Sequence, residues 1–260
     1  MFINNFDPVA FQILSFEIRW YSLAYIAGIV IGWILCKKIF IKNSNINEKF
    51  DDYISYLIVG VVIGGRFGYI IFYNFNYYIN NVLDIFKIWE GGMSFHGGLI
   101  GVIISSIIFA KQNRQDSFLY MDLVSMVAPI GIFFGRLANF INSELYGVST
   151  EVPWAVTFIQ IDNIPRHPSQ LYEAILEGII LFLILLYFRK KNYLTKPGLI
   201  SAVFLIFYSI FRFIVEFFRT PDEQLSYLIF DLTMGQIISL ISILLGIILF
   251  YFKNENKQIN

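Results

Sequence analysis

Apolar runs, separated by short polar stretches, recur along the chain from Trp20 to Phe252. A helix needs about 20 apolar residues to cross the hydrocarbon core of a bilayer. Runs at about 20–40, 52–73, 97–112, 118–140, 169–188, 198–217 and 233–252 therefore predict seven membrane-spanning helices, the third of them short. The fold class expected is an all-α polytopic membrane protein, with residues 1–260 forming a single membrane-embedded domain. Between the second and third spans, a stretch rich in Tyr and Phe predicts an arm in the headgroup layer, about 74–95. Between the fourth and fifth, Pro153, Trp154 and the alternating Ala155, Thr157 and Ile159 predict a small extracytoplasmic cap with short strands, about 141–167.

Composition narrows the class. At 57% hydrophobic and only 15% charged, the chain is not a water-soluble domain, and its zero formal net charge gives no field directed at nucleic acid. The N-terminus lacks the basic region of a signal peptide, so the first span is expected to stay in the mature protein. Lys37, Lys38, Lys42, Lys49, Lys111, Arg114, Arg189, Lys190, Lys191, Lys196, Lys253 and Lys257 fall on one side of the spans. The other side has only Lys87, Arg166 and Arg219. The positive-inside rule then predicts an outside N-terminus and a cytoplasmic C-terminus, with the long outer loops carrying function. Gly60, Gly64 and Gly68, with Gly28/Gly32, Gly97/Gly101 and Gly131/Gly135, repeat at the four-residue spacing of close helix contact.

Against this apolar background Arg19, Arg66, Arg136 and Arg212 stand within or at the edge of spans. A charge near membrane depth costs roughly 2.5–3.5 kcal/mol on insertion scales, which marks such residues as functional candidates. Arg19, beside Trp20 and Tyr21, suits an interfacial anchor. Arg136 opens GRLANFINSELYG, and a continuous helix would place Arg136, Asn139 and Ser143 on one face. A guanidinium with amide and hydroxyl neighbours suits a phosphate or carboxylate; the alternative is an arginine that snorkels and pairs with Glu144. In FRFIVEFFRTPDEQ, helical spacing puts Arg212, Glu216 and Arg219 on one face, a positive surplus open to an anion or an ion-pair ladder.

His96, in GGMSFHGG at the outer mouth of the third span, is either a proton acceptor or a histidine bonded to a carbonyl in a kinked entry loop. His167 precedes Pro168 at a predicted helix start, where capping accounts for it. Cys36 is expected to be a packed thiol. Two distant histidines and one cysteine predict no metal site, and nothing calls for a cofactor.

HGGLIG (His96–Gly101), GRLANFINSELYG, RHPSQLYEA (Arg166–Ala174) and FRFIVEFFRTPDEQ together resemble the bacterial prolipoprotein diacylglyceryl transferases, as do RWYSLAY from Arg19 and MGQ at Met234–Gln236. The resemblance implies a seven-span plasma-membrane enzyme with no cofactor, its active site toward the outer leaflet. Its partners would be phosphatidylglycerol, prolipoprotein signal peptides with a lipobox cysteine, and surrounding lipid. It would move the diacylglyceryl group onto the cysteine thiol, form a thioether and release glycerol 1-phosphate, the first step of lipoprotein maturation. By motif, the catalytic set would be His96, Arg136, Arg212 and Glu144, with His96 as base for the thiol. Tyr21, Arg136, Asn139, Gly147, Glu216 and Arg219 would bind the phospholipid. Ala138 and Ser143 stand where the family pattern commonly has glycine, Tyr146 where it has tryptophan, and Arg19 where it often has histidine. Bulkier side chains at 138 and 143 would narrow a headgroup pocket. Three other classes keep arginines in spans: a transporter or anion channel, a lipid phosphatase using His96 as nucleophile, and a lipid-binding scaffold. The seven spans show no internal repeat of the kind transporters carry.

Overall fold

The structure is a computed structural model and describes residues 2–14, 16–221 and 232–255. Among these, seven helices are long and apolar enough to span a membrane. They are α1 (Trp20–Phe40), α2 (Phe50–Tyr73), α3 (Phe95–Gln112), α4 (Ser117–Ile141), α5 (Ser169–Lys190), α6 (Leu199–Phe218) and α7 (Met234–Glu255). The chain is a multi-pass, all-α membrane protein, and each expected span is present with its ends shifted by at most three residues. Exposed Ile26, Ile29, Leu244 and Ile247 are the lipid-facing surface such helices require. Residues 222–224 of FRFIVEFFRTPDEQ, and Lys257, lie outside the described residues.

Contacts divide the chain into two compact units, Lys37–Met121 and a unit formed by Met1–Cys36 with Asp122–Asn260. In the smaller unit, α2 and α3 pack backbone to backbone through their glycines. A Cβ on Gly64 would lie 2.3 Å from the Gly97 carbonyl oxygen, and one on Gly68 would lie 2.7 Å from the Gly97 Cα. The predicted arm is a helix at Phe75–Asn80 followed by 3₁₀ turns at Val82–Phe86 and Ile88–Glu90. Arg66, 4% exposed, holds it. Its Nε donates to the Ile85 carbonyl at 2.9 Å, Nη1 to Gly91 and Gly92 at 2.5 and 3.3 Å, and Nη2 to Asp84 and Lys87 at 2.6 and 3.1 Å. The guanidinium thus supplies the donors that irregular backbone near a membrane lacks. Its work is structural.

In the larger unit the cap contains the expected strands, β4 (Val156–Phe158) and β5 (Pro165–Arg166). The sequence reading did not anticipate their partner, β1 (Phe2–Asn4), which pairs parallel to β4. A hairpin of β2 (Val9–Ile13) and β3 (Phe16–Arg19) then leads into α1. Asn4 is fully buried and donates to the Phe140 carbonyl at 2.6 Å, tying β1 to the end of α4. The Gly28/Gly131 contact forms, since a Cβ on Gly28 would sit 2.9 Å from the Gly131 Cα. A Cβ on Gly135 would meet nothing within 4 Å, so that half of the repeat is not a packing contact. Cys36 is fully buried with its thiol directed at the Leu123 carbonyl, a packed residue as expected. Asp122 of α4 accepts from the Gly198 and Ser201 amides, each at 2.8 Å, and caps the start of α6.

Arg66→Lys keeps the charge but offers at most three donors in place of a fork, at a cost on the order of 3 kcal/mol. The expected result is faster cleavage after Lys87, measured with a lysine/arginine-specific protease on detergent-solubilised protein. Cleavage at the wild-type rate would show that the arm does not need the guanidinium.

Candidate active site

The larger unit brings four of the sequence motifs together. α4 ends at Ile141, and the Asn142–Gly147 loop that follows is pinned by RHPSQ. Gln170 Nε2 donates to the Glu144 carbonyl at 2.6 Å, Ser169 Oγ to the Leu145 carbonyl at 2.9 Å, and the Gly147 amide to the His167 carbonyl at 3.0 Å. A Cβ on Gly147 would fall 2.4 Å from the carbonyl oxygens of both His167 and Phe218. That position admits only glycine, and the requirement is steric.

Two expectations fail here. Ser143 is not on the Arg136 face, because the helix has ended and Ser143 takes the left-handed conformation at φ 58°. Glu144 does not hold Arg136: it accepts from Asn139 Nδ2 at 2.8 Å and Asn142 Nδ2 at 3.3 Å, and is exposed. Arg136 is held from α5 instead. Its Nε lies 3.0 Å from Glu173 Oε2 and its Nη2 3.8 Å from Glu177 Oε2. Both glutamate side chains are completely buried, while that of Arg136 keeps 20% of its surface exposed. The other oxygen of Glu173 accepts from Arg212 Nη1, so one carboxylate bridges the two arginines.

Arg212 Nη2 reaches Glu216 Oε2 at 2.7 Å, the i,i+4 pair the spacing implies. Arg219 does not extend that face. The helix tightens into a 3₁₀ turn at Glu216–Phe218, and Arg219 leaves it in an extended conformation, its backbone bridging to Gly147. Arg136 and Arg212 are matched by three carboxylates, those of Glu173, Glu177 and Glu216, with Arg219 within electrostatic range of Glu177, so the surplus expected from the sixth span alone is offset from α5. MGQ has a local explanation. Thr233 Oγ1 accepts from the Gln236 amide at 3.2 Å while Gln236 Oε1 accepts from the Thr233 amide at 3.0 Å, a reciprocal cap on α7. The same Thr233 hydroxyl donates to Glu216 Oε1 at 3.0 Å, and a Cβ on Gly235 would lie only 2.7 Å from that oxygen.

Tyr21, at the start of α1, has its hydroxyl 3.4 Å from that of Tyr25 and lies within electrostatic range of Arg136 and Glu144. His96 belongs to the other unit. It is exposed as the second residue of α3, in a regular first turn whose cap, Ser94 Oγ, accepts from the Gly97 amide at 3.3 Å; the expected kinked loop is absent. His167 does not cap α5, because Pro168 occupies the cap position without a side-chain bond. His167 Nδ1 lies 3.0 Å from the Tyr172 hydroxyl, which also accepts from Trp154 Nε1 at 2.7 Å. Among the described residues no histidine, cysteine or carboxylate cluster suits a metal ion.

The sequence reading missed Glu177 and gave Glu173 no role. The signal for both was the one that marked Arg136, an ionisable side chain inside an apolar run. Residues Ala174–Ile180 form a π-helical stretch, a local widening that recurs at functional sites.

Two stability predictions follow from this geometry. Ser143 combines left-handed backbone with a buried hydroxyl that has no hydrogen-bond partner, so Ser143→Gly should stabilise the protein by about 1 kcal/mol. A thermal melt in detergent reads this as a higher midpoint. Desolvation lowers the His167 pKa, so its neutral form supports the fold and that support is lost as pH falls through the lowered value. Acidification should therefore change Trp154 emission reversibly, and His167→Gln should abolish the change.

The profile of the family described as prolipoprotein diacylglyceryl transferase matches residues 8–252. A protein of Rickettsia bellii named phosphatidylglycerol–prolipoprotein diacylglyceryl transferase is 47% identical, covering 100% of this chain and 99% of its own length. Proteins of the same name from Rickettsia typhi and Oleidesulfovibrio alaskensis are each 48% identical, covering 95% and 97% of this chain and 96% and 95% of their own. On this match, with the motifs assembled as described, the chain belongs to the prolipoprotein diacylglyceryl transferase family.

Proposed function

We propose that this enzyme transfers the diacylglyceryl group of phosphatidylglycerol to the thiol of a lipobox cysteine in a prolipoprotein. The observation that carries the reading is the pair Arg136 and Arg212, set at a fixed separation by Glu173 inside the membrane-spanning region. Arginine is suited to a phosphodiester because its planar fork matches phosphate oxygens. Arg136 holds the headgroup, and its side chain is the more exposed of the two. Tyr21, Asn139 and Gly147 shape the surroundings, with Asn139 fixing Glu144. Arg212, oriented by Glu216, and Arg219 beyond it receive the phosphate as charge develops.

In the reaction the thiol sulfur forms a bond to the glycerol carbon that carries the phosphate, and the carbon–oxygen bond to phosphate breaks. The electron pair leaves with glycerol 1-phosphate, and the thiol proton passes to a base, for which His96 is the candidate. Preorganised donors contribute most where charge grows, here on the departing phosphate. The nucleophile belongs to the peptide, in keeping with a buried Cys36. The distribution of lysine and arginine supports an outside N-terminus, a cytoplasmic C-terminus and a site open to the outer leaflet.

The test combines purified protein in phosphatidylglycerol vesicles with a lipobox peptide followed by mass. A diacylglyceryl gain is expected on the cysteine peptide and not on its serine counterpart. Arg136→Ala should lower turnover by about 100-fold or more, and Arg136→Lys should not restore it, because an ammonium lacks the fork. Release of headgroup without peptide modification would establish a hydrolase instead. Lipid binding without turnover would establish a scaffold.

A further inference from the structure

Glu177 is the one member of the arginine–glutamate cluster whose oxygens both lack a hydrogen bond. Each of the other two carboxylates is engaged at close range. Glu173 bridges the arginines, and Glu216 takes Arg212 Nη2 on one oxygen and the Thr233 hydroxyl on the other. The side chain of Glu177 is fully buried, and its nearest ion-pair partner, Arg136 Nη2, stands 3.8 Å away, beyond hydrogen-bond range. A buried carboxylate left this way is unfavourable unless a donor reaches it. The charged and titratable groups around it are Arg136, Glu173, Tyr208, Arg212 and Arg219, so its surroundings already include the residues assigned to the anion.

We infer that Glu177 is the specificity-determining acceptor for the hydroxyl groups of the donor lipid's headgroup, receiving them while Arg136 holds the adjacent phosphate. The chemistry fits on two counts. An ionised carboxylate only accepts, and a polyol headgroup offers hydroxyl donors. Two unoccupied oxygens on one carboxylate also match the two hydroxyls of a 1,2-diol. The wider π-helical stretch at Ala174–Ile180 carries Glu177 on the same helix as Glu173, so the acceptor and the arginine bridge are set by one element. A site built to bond a substrate hydroxyl rejects the analogue that lacks it, because its own buried polar group is then left unpaired. The inference rests on the transferase reading, and its test separates the two.

Initial rates would be measured with the lipobox peptide and vesicles containing either phosphatidylglycerol or phosphatidylpropanol, whose headgroup has neither hydroxyl. Wild-type protein is expected to prefer the diol donor by about 100-fold or more in kcat/KM. Glu177→Met, similar in size and unable to accept two hydroxyls, is expected to lose most of that preference, through a raised KM for phosphatidylglycerol. Glu177→Gln, with one acceptor oxygen, should fall between. Equal wild-type rates with the two lipids would overturn the inference whether or not either variant folds. An equal loss on both lipids in the variants, with the preference intact, would overturn it too and leave Glu177 a support for Arg136. No transfer by wild type from phosphatidylglycerol would instead remove the transferase reading beneath it.

Discussion

The bridge made by Glu173 is the interaction on which the site depends. Two guanidiniums in an apolar region repel each other, and each alone carries a large desolvation cost. A single carboxylate with one oxygen on Arg136 Nε and the other on Arg212 Nη1 offsets both effects and joins α4, α5 and α6 at one point. The remaining features of the site serve this junction. Glu216 steadies the far side of Arg212, and Thr233, just before α7, steadies Glu216, while Gly235 leaves room for its carboxylate. The Asn142–Gly147 loop is held by main-chain and side-chain bonds from RHPSQ, so the segment that follows Arg136 is as fixed as the helix before it.

Binding an anion at such a junction is a competition. Arg212 has both terminal nitrogens committed to carboxylates, whereas Arg136 presents only its Nε and Nη2 edge to α5. A phosphate that reached Arg136 would meet an arginine already oriented, with less side-chain freedom to lose. The pairs with glutamate thus hold the cation in place by themselves.

The spans were legible because a bilayer imposes one rule on length and polarity, and Arg136 and Arg212 were legible because they break it. Glu177 breaks it equally, inside the apolar run AILEGIILF, but attention to cations passed over it. Arg219 and Ser143 were placed on helix faces by extrapolating a period past the point where the helix stops. In both cases the stop is set by tertiary pairing, Arg219 with Gly147 and the loop after Ile141 with RHPSQ, which no local window contains. The Phe2–Asn4 strand was missed for a similar reason: its partner lies more than 150 residues away, at Val156–Phe158. Ala138 fits its position without difficulty, being buried in the last turns of α4, whereas Ser143 occupies backbone geometry that favours glycine.

Arg66 has a different kind of consequence. All five bonds it makes go to carbonyl oxygens of the main chain, and none goes to a side chain of the arm. Every residue type supplies that same carbonyl, so these bonds fix the backbone path without selecting side chains at Ile85 and Lys87, whereas Gly91 and Gly92 are required by their positive φ and, at Gly92, by the Tyr69 ring. Substitution of the arm's outward side chains can therefore leave its backbone path as it is, provided that the two glycines and Tyr78, whose ring lies against the guanidinium, are kept.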